Sequence, residues 1–222
     1  MTTTSFQTAS AKRGKLLILG ATGGTGRLIV KEALSRGFEV RAMVRSPQKA
    51  NGLEGAEIFV GDAREDATLR KALEGRDAVV SALGTPVSPF REVTSLSTAT
   101  NSLVRAMKAL GVLRLVCITG IGAGDSAGHG GFVFDRLILP ALLRNVYADK
   151  NRQEEVVRRS GLDWVLVRPS VLNDKASRND CRALTDLSGF NGGTIARADV
   201  ASFVLDQVNA NTWLHQSPLI SW

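Results

Sequence analysis

Residues 15–30 read Lys15-Leu-Leu-Ile-Leu19-Gly20-Ala-Thr22-Gly23-Gly24-Thr25-Gly26-Arg-Leu-Ile-Val30, and this stretch decides the fold. Lys15 to Leu19 is a short continuous apolar run, as expected for a central strand covered on both faces. From about Thr25 to Ser35 the apolar spacing turns helical, with Leu28, Ile29, Ala33 and Leu34 on one face and Gly37 as the stop. Gly20, Gly23 and Gly26 join the two. In that setting Gly20 permits a tight turn, Gly23 lets backbone approach a pyrophosphate, and Gly26 lets the helix pack near the strand. The free N–H groups and dipole at that helix end, near Gly24, favour a diphosphate, and Thr22 and Thr25 add hydroxyl donors.

Working outward, strands and helices alternate. Further strands are expected at Glu39–Val44, Glu57–Val60, Asp77–Leu83, Leu113–Thr119 and Asp163–Val167. Helices are expected at about Ala67–Leu73, Val93–Leu110 and from Arg197, with a helical region before Ser160 broken near Pro140. Leu219 and Ile220 read as a short edge strand. The pattern predicts an α/β fold of the Rossmann type, doubly wound, with a mostly parallel sheet in three α/β/α layers. Residues 14–222 read as one such domain with a small C-terminal substrate-site region. Met1 to Arg13, rich in Thr, Ser and Ala, reads as a disordered tail, with a very short targeting segment as the alternative.

The end of the second strand should meet the adenosine ribose of a dinucleotide. There the chain reads Met43-Val-Arg45-Ser46-Pro-Gln-Lys49, without the acid that an NAD site places against the 2′-hydroxyl. Arg45 offers a fork for a 2′-phosphate, helped by Ser46 and Lys49, so NADPH is expected over NADH; a solvated strand-end charge is the alternative. After the third strand, Asp62 and Ala63 stand where a carboxylate either accepts from the adenine amino group or caps the following turn. Leu83 and Gly84 follow the fourth strand, where backbone passes the cofactor.

Composition narrows the classes. The chain has 222 residues, a hydrophobic fraction of 44% and a net charge of +7. No apolar run reaches the roughly 18 residues of a membrane span. Scattered arginines and an aromatic content of 5% give no platform for nucleic acid, so the basic excess suits a small polyanion. Two cysteines and two histidines at unrelated spacings give no metal site. Cys117 falls in a buried strand, so no disulfide and a reducing, cytoplasmic setting are expected, with a small-molecule substrate and a monomer or homodimer.

Gly20-Ala-Thr-Gly-Gly-Thr-Gly26, Val44-Arg45, Gly61-Asp62, Ile118-Thr-Gly-Ile-Gly122 and Ser160-Gly-Leu-Asp-Trp-Val-Leu-Val-Arg-Pro169 together resemble the atypical short-chain dehydrogenase/reductases. The resemblance is to their NAD(P)H-binding branch, which includes biliverdin/flavin reductase B-like and NmrA-like proteins. It implies an oxidoreductase with NADPH across the carboxyl edge of the sheet. It also implies that Pro169, Ser170 and Val171 lean on the nicotinamide. The wider superfamily has a Ser after the fifth strand and a Tyr four residues before a Lys. Here Gly120 takes the Ser place, Lys150 matches the Lys, and Val146 takes the Tyr place; Tyr147 is three residues before Lys150. Residues at i and i+3 still neighbour each other on a helix, so Tyr147 reaches the site if the helix is rotated or distorted.

Lys150, Thr119 and Tyr147 are therefore the candidate catalytic residues, with Lys150 and Thr119 also touching the cofactor. Gly122, His129 and Phe132, on or after the glycine-rich loop 120–131, are candidate substrate contacts. The expected activity is NADPH-dependent reduction of a small conjugated or carbonyl acceptor, such as a flavin, quinone or tetrapyrrole. The alternative is a non-catalytic redox sensor of the NmrA type, and a sugar or isoprenoid epimerase or dehydratase ranks third.

Overall fold

The computed structural model describes residues 13–222, so the expected tail lies almost wholly outside the described residues. The strands are β1 (Lys15–Leu19), β2 (Glu39–Val44), β3 (Glu57–Val60), β4 (Ala78–Ser81), β5 (Arg114–Ile118), β6 (Asp163–Pro169), β7 (Val171–Asn173), β8 (Arg182–Leu184), β9 (Thr194–Ala196) and β10 (Leu219–Ser221). The α-helices are α1 (Gly24–Ser35), α2 (Asp66–Leu73), α3 (Ser95–Leu110), α4 (Arg144–Arg158) and α5 (Arg197–Asp206). Eight strands form one sheet in the order β3-β2-β1-β4-β5-β6-β10-β8, parallel except for β8, and β7 pairs with β9 apart from it. The direction of winding reverses between β1 and β4, which opens a crevice at their carboxyl ends.

Side-chain alternation explains why the sheet is covered twice. Leu16 and Ile18 of β1 enter a core with Ile29, Val30 and Ala33 of α1 and Val200, Val204 and Leu205 of α5. Leu17 and Leu19 point the other way, into a core with Leu69 and Leu73 of α2, Leu103 and Met107 of α3 and Val157 of α4. A strand whose successive residues face two cores has to be apolar throughout, which is why β1 reads as an unbroken run. Gly37 ends α1 at φ 86°, and the next N–H, of Phe38, returns to the Ala33 carbonyl at 3.0 Å.

Three expectations are corrected. β10 is not at the edge: it lies between β6 and β8, with Leu219 and Ile220 fully buried. β4 stops at Ser81, so Leu83 and Gly84 belong to the loop beyond it. The break near Pro140 is a π-helix over Phe134–Leu143 that runs straight into α4. Proline lacks an N–H, and wider hydrogen-bond spacing absorbs the loss. Cys117 and Cys181 are both free thiols.

Candidate functional site

A cleft of about 600 Å³ occupies the crevice at the strand reversal. Its floor is the loop from Gly20 to Gly26. A Cβ on Gly20 would stand 2.3 Å from the Ala82 carbonyl oxygen, and one on Gly26 would stand 2.1 Å from the Gly20 carbonyl oxygen. Neither position admits a side chain without moving backbone. α1 therefore begins hard against β1 and β4, and no side chain caps its amino end. That end presents free N–H groups and the positive pole of a helix to the cleft, a donor set suited to a diphosphate.

Of the expected cofactor contacts, Gly20, Thr22, Gly23, Gly24, Thr25, Gly26, Arg45, Asp62, Ala63, Leu83, Gly84, Thr119 and Lys150 all line this one cleft. Arg45 is exposed at the end of β2, with no ion pair among the described residues. Asp62 makes the turn before α2, accepting the Arg64 N–H at 2.9 Å and the Arg64 guanidinium at 2.5 to 3.1 Å. That guanidinium holds the Asp62 carboxyl down at about 2. Of the two roles expected for Asp62, the structure displays the turn. Arg64, which the sequence reading left unassigned, also lines the cleft.

At the opposite end, Ile118 closes β5, Thr119 follows it, and Lys150 reaches in from α4. The Lys150 ammonium donates to the Thr119 carbonyl at 2.6 Å, and burial lowers its pKa from the ordinary lysine value. The Thr119 hydroxyl donates to Glu154 at 2.7 Å, on the oxygen that also accepts Arg168 Nε at 3.0 Å. Arg168 pairs in turn with Asp125 of loop 120–131, and Gly124 N–H donates to Asn151 at 2.9 Å. One turn earlier on α4, buried Asp149 accepts Leu96 N–H at 2.8 Å and the Ser97 hydroxyl at 2.5 Å. Those bonds satisfy the amino end of α3 and hold Leu96 and Ala99 in the cleft wall.

Tyr147 does not line the cleft but stands beside it. Its hydroxyl is 3.4 Å from where a Cβ on Gly120 would be, and its ring centroid is 5.9 Å from Lys150 Nζ. Tyr147 and Lys150 both lie in regular α4, downstream of the π-helix, and as i and i+3 residues they are neighbours on one side of it. Burial, aided by the charge of Asp135, pushes the phenol up to about 12. Phe134 packs edge-on against the ring at 5.9 Å.

The structure does not bring the remaining expected residues into the cleft. Gly122 packs over Tyr147, Phe134 and Leu139. His129 Nδ1 engages the Phe190 carbonyl at 3.0 Å, facing segment 185–192 instead. Phe132 is 73% exposed at the head of the π-helix segment. The Pro169 carbonyl is taken by Ile121 N–H, Ser170 is buried against Ser221, and Val171 faces outward. Leu172 lines the cleft instead, because neighbours on a strand point to opposite faces. Arg197, at the start of α5, is a further lining residue that sequence reasoning missed.

The family profile described as NAD(P)H-binding matches residues 20–211. The chain belongs to this NAD(P)H-binding family. Within its curated relatives, the chain is 29% identical to Protein TIC 62, chloroplastic, of Oryza sativa over 89% of its own length but only 44% of that protein. It is 28% identical to sanguinarine reductase of Eschscholzia californica, over 86% of this chain and 83% of that one. Among solved structures, the anaerobillin reductase ChuY of Escherichia coli O157:H7 superposes with a TM-score of 0.79 at 23% identity, over 93% and 96% of the two chains. That likeness shows the shared fold. The chain spans between one third and two thirds of the length of the chloroplastic relatives it matches. Among the described residues no helix is long and apolar enough to cross a membrane, and no group of His, Cys, Asp or Glu is placed to hold a metal ion.

Proposed function

We propose that the chain is an NADPH-dependent reductase of a conjugated or carbonyl acceptor of flavin, quinone or tetrapyrrole size. The observation that carries this reading is one cleft with Arg45, unpaired among the described residues, at one end, an uncapped helix in the middle and Lys150 at the far end. The cradle fits a dinucleotide: Gly20 and Gly26 permit the close approach, and Arg45 supplies the fork for a 2′-phosphate. Lys150 is the donor available to the nicotinamide ribose. When bound, the nicotinamide supplies a hydride.

The chain's own residues position the reactants and hold a proton nearby. Thr119 is fixed by Glu154, and its carbonyl fixes Lys150. Tyr147 stays neutral across the physiological range, so its hydroxyl is a proton donor facing the space left by Gly120. The acceptor class rests on surface chemistry. Val87 and Phe90, just past cleft residues Thr85 and Pro86, are 57% and 96% exposed. Asn145, in the first turn of α4, donates to the Ser88 and Pro89 carbonyls of that loop, and Leu137 and Leu142 of the preceding π-helix are exposed as well. An apolar rim of this kind beside a cleft suits a large conjugated molecule. Action on a small molecule, as a monomer or homodimer in a reducing compartment, completes the proposal.

The test is NADPH oxidation with a panel of flavins, quinones and tetrapyrroles, where turnover above the no-protein rate is expected. The redox-sensor reading is favoured by one observation: Lys150 engages a backbone carbonyl, and Gly120 leaves no side-chain hydroxyl for Tyr147. Absence of turnover, together with tight binding of NADPH and NADP⁺ alike, would decide for sensing.

A further inference from the structure

β7 and β9 run parallel with Asn173 opposite Ala196, so the next residues, Asp174 and Arg197, emerge side by side. Arg197 Nη1 donates to Asp174 at 2.7 Å. α5 packs along α1, which sets its first residue beside the amino end of α1. The fit there is close: Arg197 Nε is 3.1 Å and Cδ 3.3 Å from where a Cβ on Gly24 would stand. Any residue larger than glycine at position 24 would displace the guanidinium.

This is a costly place for a lone cation. The amino end of a helix carries a partial positive charge, so a guanidinium over it is repelled unless an anion is present. Asp174 supplies one, but its side chain is 85% exposed while that of Arg197 is 27% exposed. A solvated carboxylate contributes little to such a pair. Nε and Nη2 of Arg197 donate to nothing among the described residues, and both belong to a group lining the cleft.

We infer that Arg197 and Asp174 form a clasp over the diphosphate position, in which Arg197 binds the diphosphate of the dinucleotide and Asp174 competes for the same guanidinium. The inference rests on the proposed dinucleotide reading of the cleft. It assigns opposite signs to two neighbouring residues. Arg197→Gln removes a charge-assisted donor and weakens binding. Asp174→Asn removes the competitor and strengthens it. The effect of Asp174→Asn exists only while Arg197 is present.

The experiment is calorimetric titration of NADPH, and of 2′-AMP, into the wild-type chain, Arg197→Gln, Asp174→Asn and the double variant. 2′-AMP has the adenosine-end phosphate and no diphosphate. The expected result is a roughly tenfold or greater rise in the NADPH Kd for Arg197→Gln. Asp174→Asn should lower that Kd by about threefold, matching a surface pair of modest strength. The double variant should equal Arg197→Gln, and 2′-AMP should bind all four alike. Should Arg197→Gln fold poorly, Arg197→Lys and the exposed Asp174→Asn carry the same test, with the lysine intermediate in affinity. NADPH binding within twofold of wild type in Arg197→Gln overturns the clasp, as does weakened binding in Asp174→Asn. A wild-type chain that binds neither compound overturns the dinucleotide reading instead.

Discussion

Arg168 and Glu154 form a two-point ion pair, Nε to Oε1 at 3.0 Å and Nη2 to Oε2 at 2.6 Å, with side chains only 1% and 3% exposed. The pair joins β6 to α4, and its remaining contacts decide what it is for. Glu154 accepts the Thr119 hydroxyl at the end of β5, and Arg168 pairs with Asp125 in loop 120–131. Two buried charges thus tie the loop to the strand end whose carbonyl holds Lys150.

Breaking half of such a pair leaves an uncompensated buried charge. Arg168→Met is expected to cost about 3–5 kcal/mol of stability, and Arg168→Met with Glu154→Leu about 2 kcal/mol less than that single change. Urea unfolding of the two variants measures both. A loss of about 0.5 kcal/mol for Arg168→Met, the scale of a surface substitution, would show that the pair does not hold this region.

Tyr147 is the sole tyrosine of the chain, so phenolate absorbance near 295 nm reports on it alone. Its midpoint is expected at about 12 in the folded protein, pushed up by burial and by Asp135. In urea it should return to about 10. The folded pKa lies above the unfolded one, so this group's contribution to stability is complete below pH 10. It is lost as the pH rises from 10 to 12. A folded-state midpoint at 10 would place the phenol in water and remove it from the site.

The sheet and the glycine cradle were legible in sequence because they obey local rules. An unbroken apolar run, three spaced glycines and a helical stripe cover β1 and α1 in one continuous stretch, Lys15 to Ser35. Arg45 was legible for the same reason, standing at a fixed distance along the chain from the glycines. What was hidden depends on residues that meet across long separations. Arg197 reaches Gly24 only because α5 packs on α1, and no local pattern shows that. The parity of β7 sends Leu172 to the cleft where Val171 was expected. The approach of the Tyr147 hydroxyl to Gly120 depends on how α4 packs against loop 120–131, which its i+3 spacing from Lys150 does not show. Glu154 had one faint signal: a strand reading Val165-Leu-Val-Arg168 carries a buried cation that requires an acid.

Gly26 tests the cradle itself. A methyl group there would meet the Gly20 carbonyl oxygen at 2.1 Å, and backbone cannot yield as a flexible side chain does. Gly26→Ala is expected to cost about 1–3 kcal/mol through overpacking and to abolish NADPH binding, because α1 must withdraw from β1. Thermal melting and calorimetry check the two effects separately. Retained binding with wild-type affinity would show that the amino end of α1 is not the anion site.

Arg45 tests cofactor choice. Two cations flank the end of the cleft proposed for the adenosine, and they are not equivalent. Arg64 is committed to Asp62 by three guanidinium contacts, whereas Arg45 has only a longer-range attraction to that carboxylate. A free guanidinium can take a 2′-phosphate without breaking an existing pair, and NADH offers no such phosphate. Arg45→Gln is therefore expected to lower kcat/KM for NADPH by roughly 10- to 100-fold, the worth of a charge-assisted pair, while NADH changes little. Steady-state rates with both cofactors at fixed acceptor measure the ratio. If both fall together, Arg45 acts on adenosine in general. If NADPH is unaffected, Arg64 must exchange Asp62 for the phosphate, and the Asp62 carboxyl should then rise from about 2 on binding.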